Sequence, residues 1–270
     1  MIDFNNFTTS SFEEFDINLV QQEVGGGAVS IEQIDNSIGR CPDAKSIVIS
    51  GLKQDSFEYF IQKYGKQFEA ISFWKNKLVS DISVLETLET VKYINYFFNQ
   101  RATSLWNMSK NSNLTGLRIF DFSKLHTING IETAHNLEYF SIGDAVWGGM
   151  EIESLSPVAK SSITHFEWCG KKVLDNNYRC LSEGHIQELD INPTQFTMEE
   201  LAELLSFFPK SLKGTITKPY VTTGIYHEDE YIKYHYLCKH KRTCIEGKDD
   251  ARFEKYLKDF NDLLERKRGL

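Results

Sequence analysis

In the stretch INGIETAHNLEYFSIGD, residues 128–144, apolar side chains fall at Ile128, Ile131, Ala134, Leu137 and Phe140, three apart, and the last step, to Ile142, is two. A step of two places side chains on one face of a strand, whereas a sustained step of three suits neither a strand nor a 3.6-residue helix. It suits 3₁₀-like turns, in which every third side chain eclipses. The stretch VSDISVLETLETVKYIN repeats the pattern with Val79, Ile82, Leu85, Leu88 and Val91, followed by Tyr93 at a step of two. The two windows superimpose, so an internal repeat is the first hypothesis.

The frame apolar-x-x-apolar-x-apolar recurs along the chain. It gives Ala44/Ile47/Ile49, Phe68/Ile71/Phe73, Leu88/Val91/Tyr93, Leu114/Leu117/Ile119, Leu137/Phe140/Ile142, Ile163/Phe166/Trp168 and Ile186/Leu189/Ile191. The starts lie 24, 20, 26, 23, 26 and 23 residues apart. The fullest copy is FEAISFWKNKL, residues 68–78, in which Asn76 and Leu78 complete L-x-x-L-x-L-x-x-N-x-L. On these residues, over 31–213, the sequence resembles the leucine-rich repeat family, most of all its internalin-type bacterial form. The resemblance implies an α/β solenoid with one short parallel strand per coil, centred near residues 48, 72, 92, 118, 141, 167 and 190, and a degenerate eighth coil near Leu212. The sheet lines the concave side, and the convex side mixes 3₁₀ and α-helical backs. It also implies an asparagine ladder, but the positions equivalent to Asn76 read Tyr96, Phe122, Ala145, Lys171 and Thr194 in this frame.

Solenoids need caps, because a terminal coil otherwise exposes its core. Residues 1–43 read as the N-terminal cap, with Phe4, Phe7, Phe12, Phe15, Ile17 and Leu19, a turn in VGGGAV, and a short helix over 30–42 opened by a Ser30/Gln33 capping box. Residues 44–213 read as seven to eight coils. Among their backs, 56–67 and 197–208 have helical spacing, the latter with a Thr197/Glu200 capping box. Residues 214–270 read as the C-terminal cap. It ends in an amphipathic helix whose stripe is Phe253, Tyr256, Leu257, Phe260, Leu263 and Leu264, with Asp249 or Asp250 as N-cap. Residues 215–248, aromatic and rich in His and Thr, read only as mixed extended and helical.

Composition narrows the function. Of 270 residues, 41% are hydrophobic and 25% charged, which describes an ordinary globular protein, and a formal net charge of −8 argues against nucleic acid as partner. Residues 231–270 carry eleven Lys or Arg against seven Asp or Glu, a solvated run or a contact for an acidic surface. No apolar run approaches the roughly 20 residues of a membrane span. No Lys or Arg precedes Arg40, so a secretory leader is not expected. Five scattered cysteines suggest reduced thiols in a reducing, cytoplasmic compartment. The resemblance implies a bacterial source, and a monomer without cofactor is expected.

No nucleophile–base–orienter set is apparent. The Gly25–Gly27 triplet lacks the Lys-Ser/Thr of a phosphate loop, and HEDE, 227–230, lacks the second His of a zinc-protease helix. His235, Cys238, His240 and Cys244 have zinc-binding donor types but no paired C-x-x-C spacing. The expected function is therefore non-enzymatic binding of a protein or peptide on the concave sheet. Bacterial effector or toxin-neutralising (immunity) roles are an alternative, and an enzyme or metal site within 215–250 is an alternative of another class. Strand alternation nominates Trp74, Lys92, Arg118, Phe120, Asp121, Tyr139, Asp144, His165, Glu167 and Asp190 as contact residues, with Trp74, Phe120 and Tyr139 as exposed anchors and a gradient from basic to acidic along the face.

Overall fold

A computed structural model describes residues 14–21, 27–227 and 230–269. Phe4, Phe7, Phe12 and the first half of the VGGGAV turn lie outside the described residues. The chain falls into two compact units, one up to His185 and one from Ile186 onward.

In the first unit β1 (Ile17–Leu19), β2 (Ser46–Ser50), β3 (Ala70–Trp74), β4 (Tyr93–Asn99), β5 (Gly116–Phe122) and β6 (Tyr139–Gly143) pair in sequence order, all parallel. The pair β7 (Glu151–Ile152) follows, then β8 (His165–Cys169) beside β6, and β9 (Lys172–Val173) pairs in parallel with β7. The strand β1 was not expected, and it starts the sheet ahead of the first coil. Parallel neighbours require a crossover each time, and the crossovers are helical or 3₁₀ except between β4 and β5, where residues 100–115 form only turns and irregular chain. Helix α1 (Ile31–Gly39) joins β1 to β2 and opens with the Ser30/Gln33 box, burying Ile34 and Ile38. Helix α2 (Gln54–Tyr64) joins β2 to β3, buries Phe57, Phe60 and Ile61, and runs into a 3₁₀ turn over Gly65–Gln67. The later backs are 3₁₀ turns at Ser83–Thr87, Ile131–Thr133 and Tyr178–Glu183, plus the short α3 (Ser156–Ala159).

The period-three residues behave as their spacing demands. Val79, Ile82, Leu85, Leu88 and Val91, and Ile128, Ile131, Ala134, Leu137, Phe140 and Ile142, are all buried. Inside the sheet run two apolar rows, Ile17–Ile47–Ile71–Ile94–Leu117–Phe140–Phe166 and Leu19–Ile49–Phe73–Tyr96–Ile119–Ile142–Trp168.

That register corrects the third coil. Ile94 stands opposite Ile71, and Tyr96 opposite Phe73, so the coil's frame is Val91/Ile94/Tyr96 rather than Leu88/Val91/Tyr93. Leu88 belongs to the preceding 3₁₀ back, and Tyr93 faces outward, half-buried. The slip arose because period-three turn residues and the first strand position look alike. With the frame moved by three, the partners Ile71, Ile94, Leu117 and Phe140 are evenly spaced at 23 residues.

It also restores a rung to the ladder. Asn99 now stands where Asn76 stands one coil earlier, and both are fully buried. Asn76 accepts from Leu52 N and donates to Ile49 O, at 2.8 and 3.0 Å. Asn99 Nδ2 donates to Asn76 O and Val79 O, while its Oδ1 accepts from Arg101 N and Ala102 N. Leu78, expected inside, is 39% exposed, and Val79 takes the interior place. One residue past the aligned positions Ser50, Trp74, Phe97 and Phe120, the residues Gly51, Lys75, Phe98 and Asp121 all have left-handed backbone, with φ between 55° and 66°. Only one of the four is glycine, so this turn is imposed by the coil more than by local preference.

In the second unit β10 (Glu188–Ile191) makes a parallel bridge from Glu188 to Lys213, the degenerate next coil. Helix α4 (Met198–Ser206) opens with the Thr197/Glu200 box. Residues 220–245 form an antiparallel sheet of β11 (Tyr220–His227), β12 (Glu230–Leu237) and β13 (Cys244–Ile245), where a mixed extended and helical segment was expected. Helix α5 (Asp250–Lys267) buries Tyr256 and Phe260 and is tied to α4 by Lys267–Glu203 and by Arg268 donating to Leu205 O. Asp249 stands at the N-cap position as expected, but its side chain makes no cap hydrogen bond. The carboxylates of Asp249 and Asp250 accept from Ile245 N and Gly247 N, so they hold the preceding turn.

Candidate functional site

Side chains that alternate with the two core rows project from the outer face of the first unit's sheet. Strand register lines them up in three rows. One is Ala70–Tyr93–Gly116–Tyr139–His165, a second Val48–Ser72–Asn95–Arg118–Ser141–Glu167, and a third Ser50–Trp74–Phe97–Phe120–Gly143–Cys169. The middle row is polar beyond Val48 and linked by hydrogen bonds. Asn95 Nδ2 donates to Ser72 Oγ at 2.9 Å, Arg118 Nη1 to Asn95 Oδ1 at 3.3 Å, and the Ser141 hydroxyl to Glu167. Aromatic rings flank it on both sides. Trp74 stacks on Phe97 with centroids 4.3 Å apart, and Tyr139 on His165 at 4.5 Å. At the β1 end the face is apolar instead, where Phe15 packs with Val48 and Ala70.

The nominated residues therefore divide. Trp74, Arg118, Tyr139, His165 and Glu167 share this face, each partly exposed. Phe120 shares it but is only 3% exposed, and the Arg118 guanidinium carbon lies 3.6 Å from its ring centroid. Phe120 is thus a support for Arg118 and not an exposed anchor. Lys92 precedes β4 and pairs with Glu69 at 2.7 Å, which holds the Glu69 carboxyl below the usual range and the Lys92 ammonium above its own. It left the row with the frame slip, and Asn95 occupies its place.

Asp121 is 2% exposed, and its carboxylate accepts from the backbone N–H groups of Ala145, Val146 and Trp147. Asp144 accepts from Met150 N. Burial pushes the Asp144 carboxyl above the ordinary aspartate value, and the Asp121 charge adds to the effect. Both acids thus hold the 144–150 loop, which carries Val146 and Trp147 at 69% and 64% exposure. Asp190 lies in the second unit, where it accepts from Thr215 N at 2.8 Å. Tyr93, Asn95 and Phe97 were missed by sequence reasoning. The uneven 20 and 26 spacings around the third coil were the signal that could have found them.

In the C-terminal segment His235 stands opposite Cys244 and stacks on Phe253 at 4.2 Å, while the Cys238 thiol points to Pro219 O. Burial raises the Cys238 thiol pKa, and pushes that of Cys180 up to about 11. Among the described residues no group of three His, Cys, Asp or Glu side chains has the arrangement to hold a metal ion, and no helix is long and apolar enough to cross a membrane.

Parallel strands at a 23-residue spacing, 3₁₀ and helical backs and a buried asparagine ladder define an α/β leucine-rich repeat solenoid. No family model matches the sequence, and no curated protein matches it. Among solved structures, the internalin InlF from Listeria monocytogenes is similar, with a TM-score of 0.47 and 16% identity over 70% of this chain and 51% of that one. The chain thus spans about half the length of that structure.

Proposed function

We propose that this protein is a non-enzymatic protein-interaction module that takes a protein or peptide segment on the outer face of its first-unit sheet. The observation that carries this is the face itself. A hydrogen-bonded polar row ending at Glu167 runs between aromatic rows whose Trp74, Tyr93, Tyr139 and His165 are partly exposed. Folding requires the inner rows to be apolar but makes no such demand for rings on the outer one, and Trp, Tyr and Arg are the residues that dominate binding energy at protein interfaces. In this reading residues 1–43 and 214–270 act as caps, and the protein works as a cytoplasmic monomer with reduced cysteines.

The test is capture of partners from an extract of the native source by the immobilised protein, read by mass spectrometry. A Trp74→Ala/Arg118→Ala/Tyr139→Ala variant with wild-type circular dichroism is expected to lose capture by at least about tenfold. Undiminished capture by that folded variant would overturn the assignment of the face.

A further inference from the structure

Arg118 stands at the third of five consecutive polar positions across the sheet, with Ser72 and Asn95 on one side and Ser141 and Glu167 on the other. A guanidinium has five N–H donors, and the hydrogen bond formed here uses one, to Asn95 Oδ1. Phe120 backs the planar group at 3.6 Å, which leaves the remaining donors directed around its rim. Among the described residues no carboxylate forms an ion pair with it. The nearest acid in its row, Glu167, is taken by the Ser141 hydroxyl and the Cys169 thiol. Gly116, two residues before it on the same strand, carries no side chain to crowd it on that side. The site is a half-buried cation with a fixed plane and unused donors.

We propose that Arg118 is the receptor for a side-chain carboxylate, from an Asp or Glu of the segment that lies across this face. The inference rests on the reading of the face as a binding surface and names the chemistry that surface selects. A planar guanidinium matches a carboxylate with two parallel hydrogen bonds. The acids Glu167 and Asp121 add negative potential at the site, which favours a single charge over the double charge of a phosphate. The polar row continues on both sides of Arg118, so the bound chain passes through the site, and a side chain fits there better than a chain terminus.

The experiment needs no partner. The Arg118 Nε–Hε signal of isotope-labelled protein is followed by NMR during titration with N-acetyl-glutamine amide, N-acetyl-glutamate amide, acetylglycine and inorganic phosphate. The glutamate compound is expected to shift the signal saturably in the millimolar range, and the glutamine compound to leave it unmoved. In Arg118→Lys, followed at the backbone amides of Asn95 and Ser141, binding weakens roughly tenfold while the charge remains, because the planar fork is lost. No saturable shift with the glutamate compound would overturn the proposal. Tighter binding of phosphate would overturn the carboxylate assignment, and tighter binding of acetylglycine would overturn the side-chain source. Failure of partner capture with normal glutamate binding would instead count against the interaction reading alone.

Discussion

Asn99 is a densely bonded buried polar side chain of the first unit. It is fully buried, and its amide satisfies two carbonyls of the preceding turn and two amides of its own. In Asn99→Ala those groups lose their partners in a place water does not reach. The expected cost is about 3 kcal/mol, measured by urea unfolding of the purified protein. Asp144 gives a prediction of opposite character. Its raised pKa means that the folded state holds the proton to higher pH than the unfolded chain does. The stability linked to this group is therefore complete below the ordinary aspartate pKa and is lost as pH rises through the folded value. Asp144→Asn keeps an oxygen for Met150 N and removes the titration. The melting temperature of the variant is expected to gain on the wild type from acid to neutral pH, and parallel melting curves across that range would contradict the assignment.

At the scale of elements, capping chemistry was readable and pairing was not. Ser30/Gln33 and Thr197/Glu200 are local signals, and both boxes form. The run from Tyr220 to Leu237 is rich in aromatic and β-branched residues, yet most of its side chains stay in solvent on both faces. A hairpin without a buried face leaves no alternation of apolar and polar positions to read. Helix α5 secures this region through Tyr256, whose hydroxyl donates to Pro219 O at 2.7 Å and accepts from Cys238 N at 3.1 Å. Tyr256→Phe keeps the ring and orphans both backbone groups. It is expected to cost roughly 2 kcal/mol, with hydrogen exchange at Cys238 accelerated first.

For the molecule as a whole, the decisive property of the first unit is that each coil buries its apolar edge only against its neighbours. Leu117 sits at the middle of an inner row, between Ile94 and Phe140, and is fully buried. Leu117→Asp places a carboxylate in that stack with no counter-charge in the core row, at a cost of several kcal/mol. Because the coils support one another, the loss spreads beyond one turn of the solenoid. The variant is expected to lose its cooperative thermal transition by circular dichroism, and a wild-type melting curve would show the inner row to be wrongly placed.

The repeat, its strands and the residues of its core were determined by the sequence, since an eclipsed step of three and an alternating step of two each admit one backbone geometry. Even the misplaced third coil is recoverable from an even 23-residue spacing and from Asn99. What only the tertiary structure decided lies on the outer face. Alternation says that Phe120 falls on the same face as Arg118, with Asp121 next along the strand, but not that the first becomes a buried backing for a guanidinium. Nor does it show that the second becomes an anchor for three amides of a loop more than twenty residues away. Those roles depend on which coil lies alongside and where its loop returns. Register and long-range packing set both, and no local period in the chain encodes them.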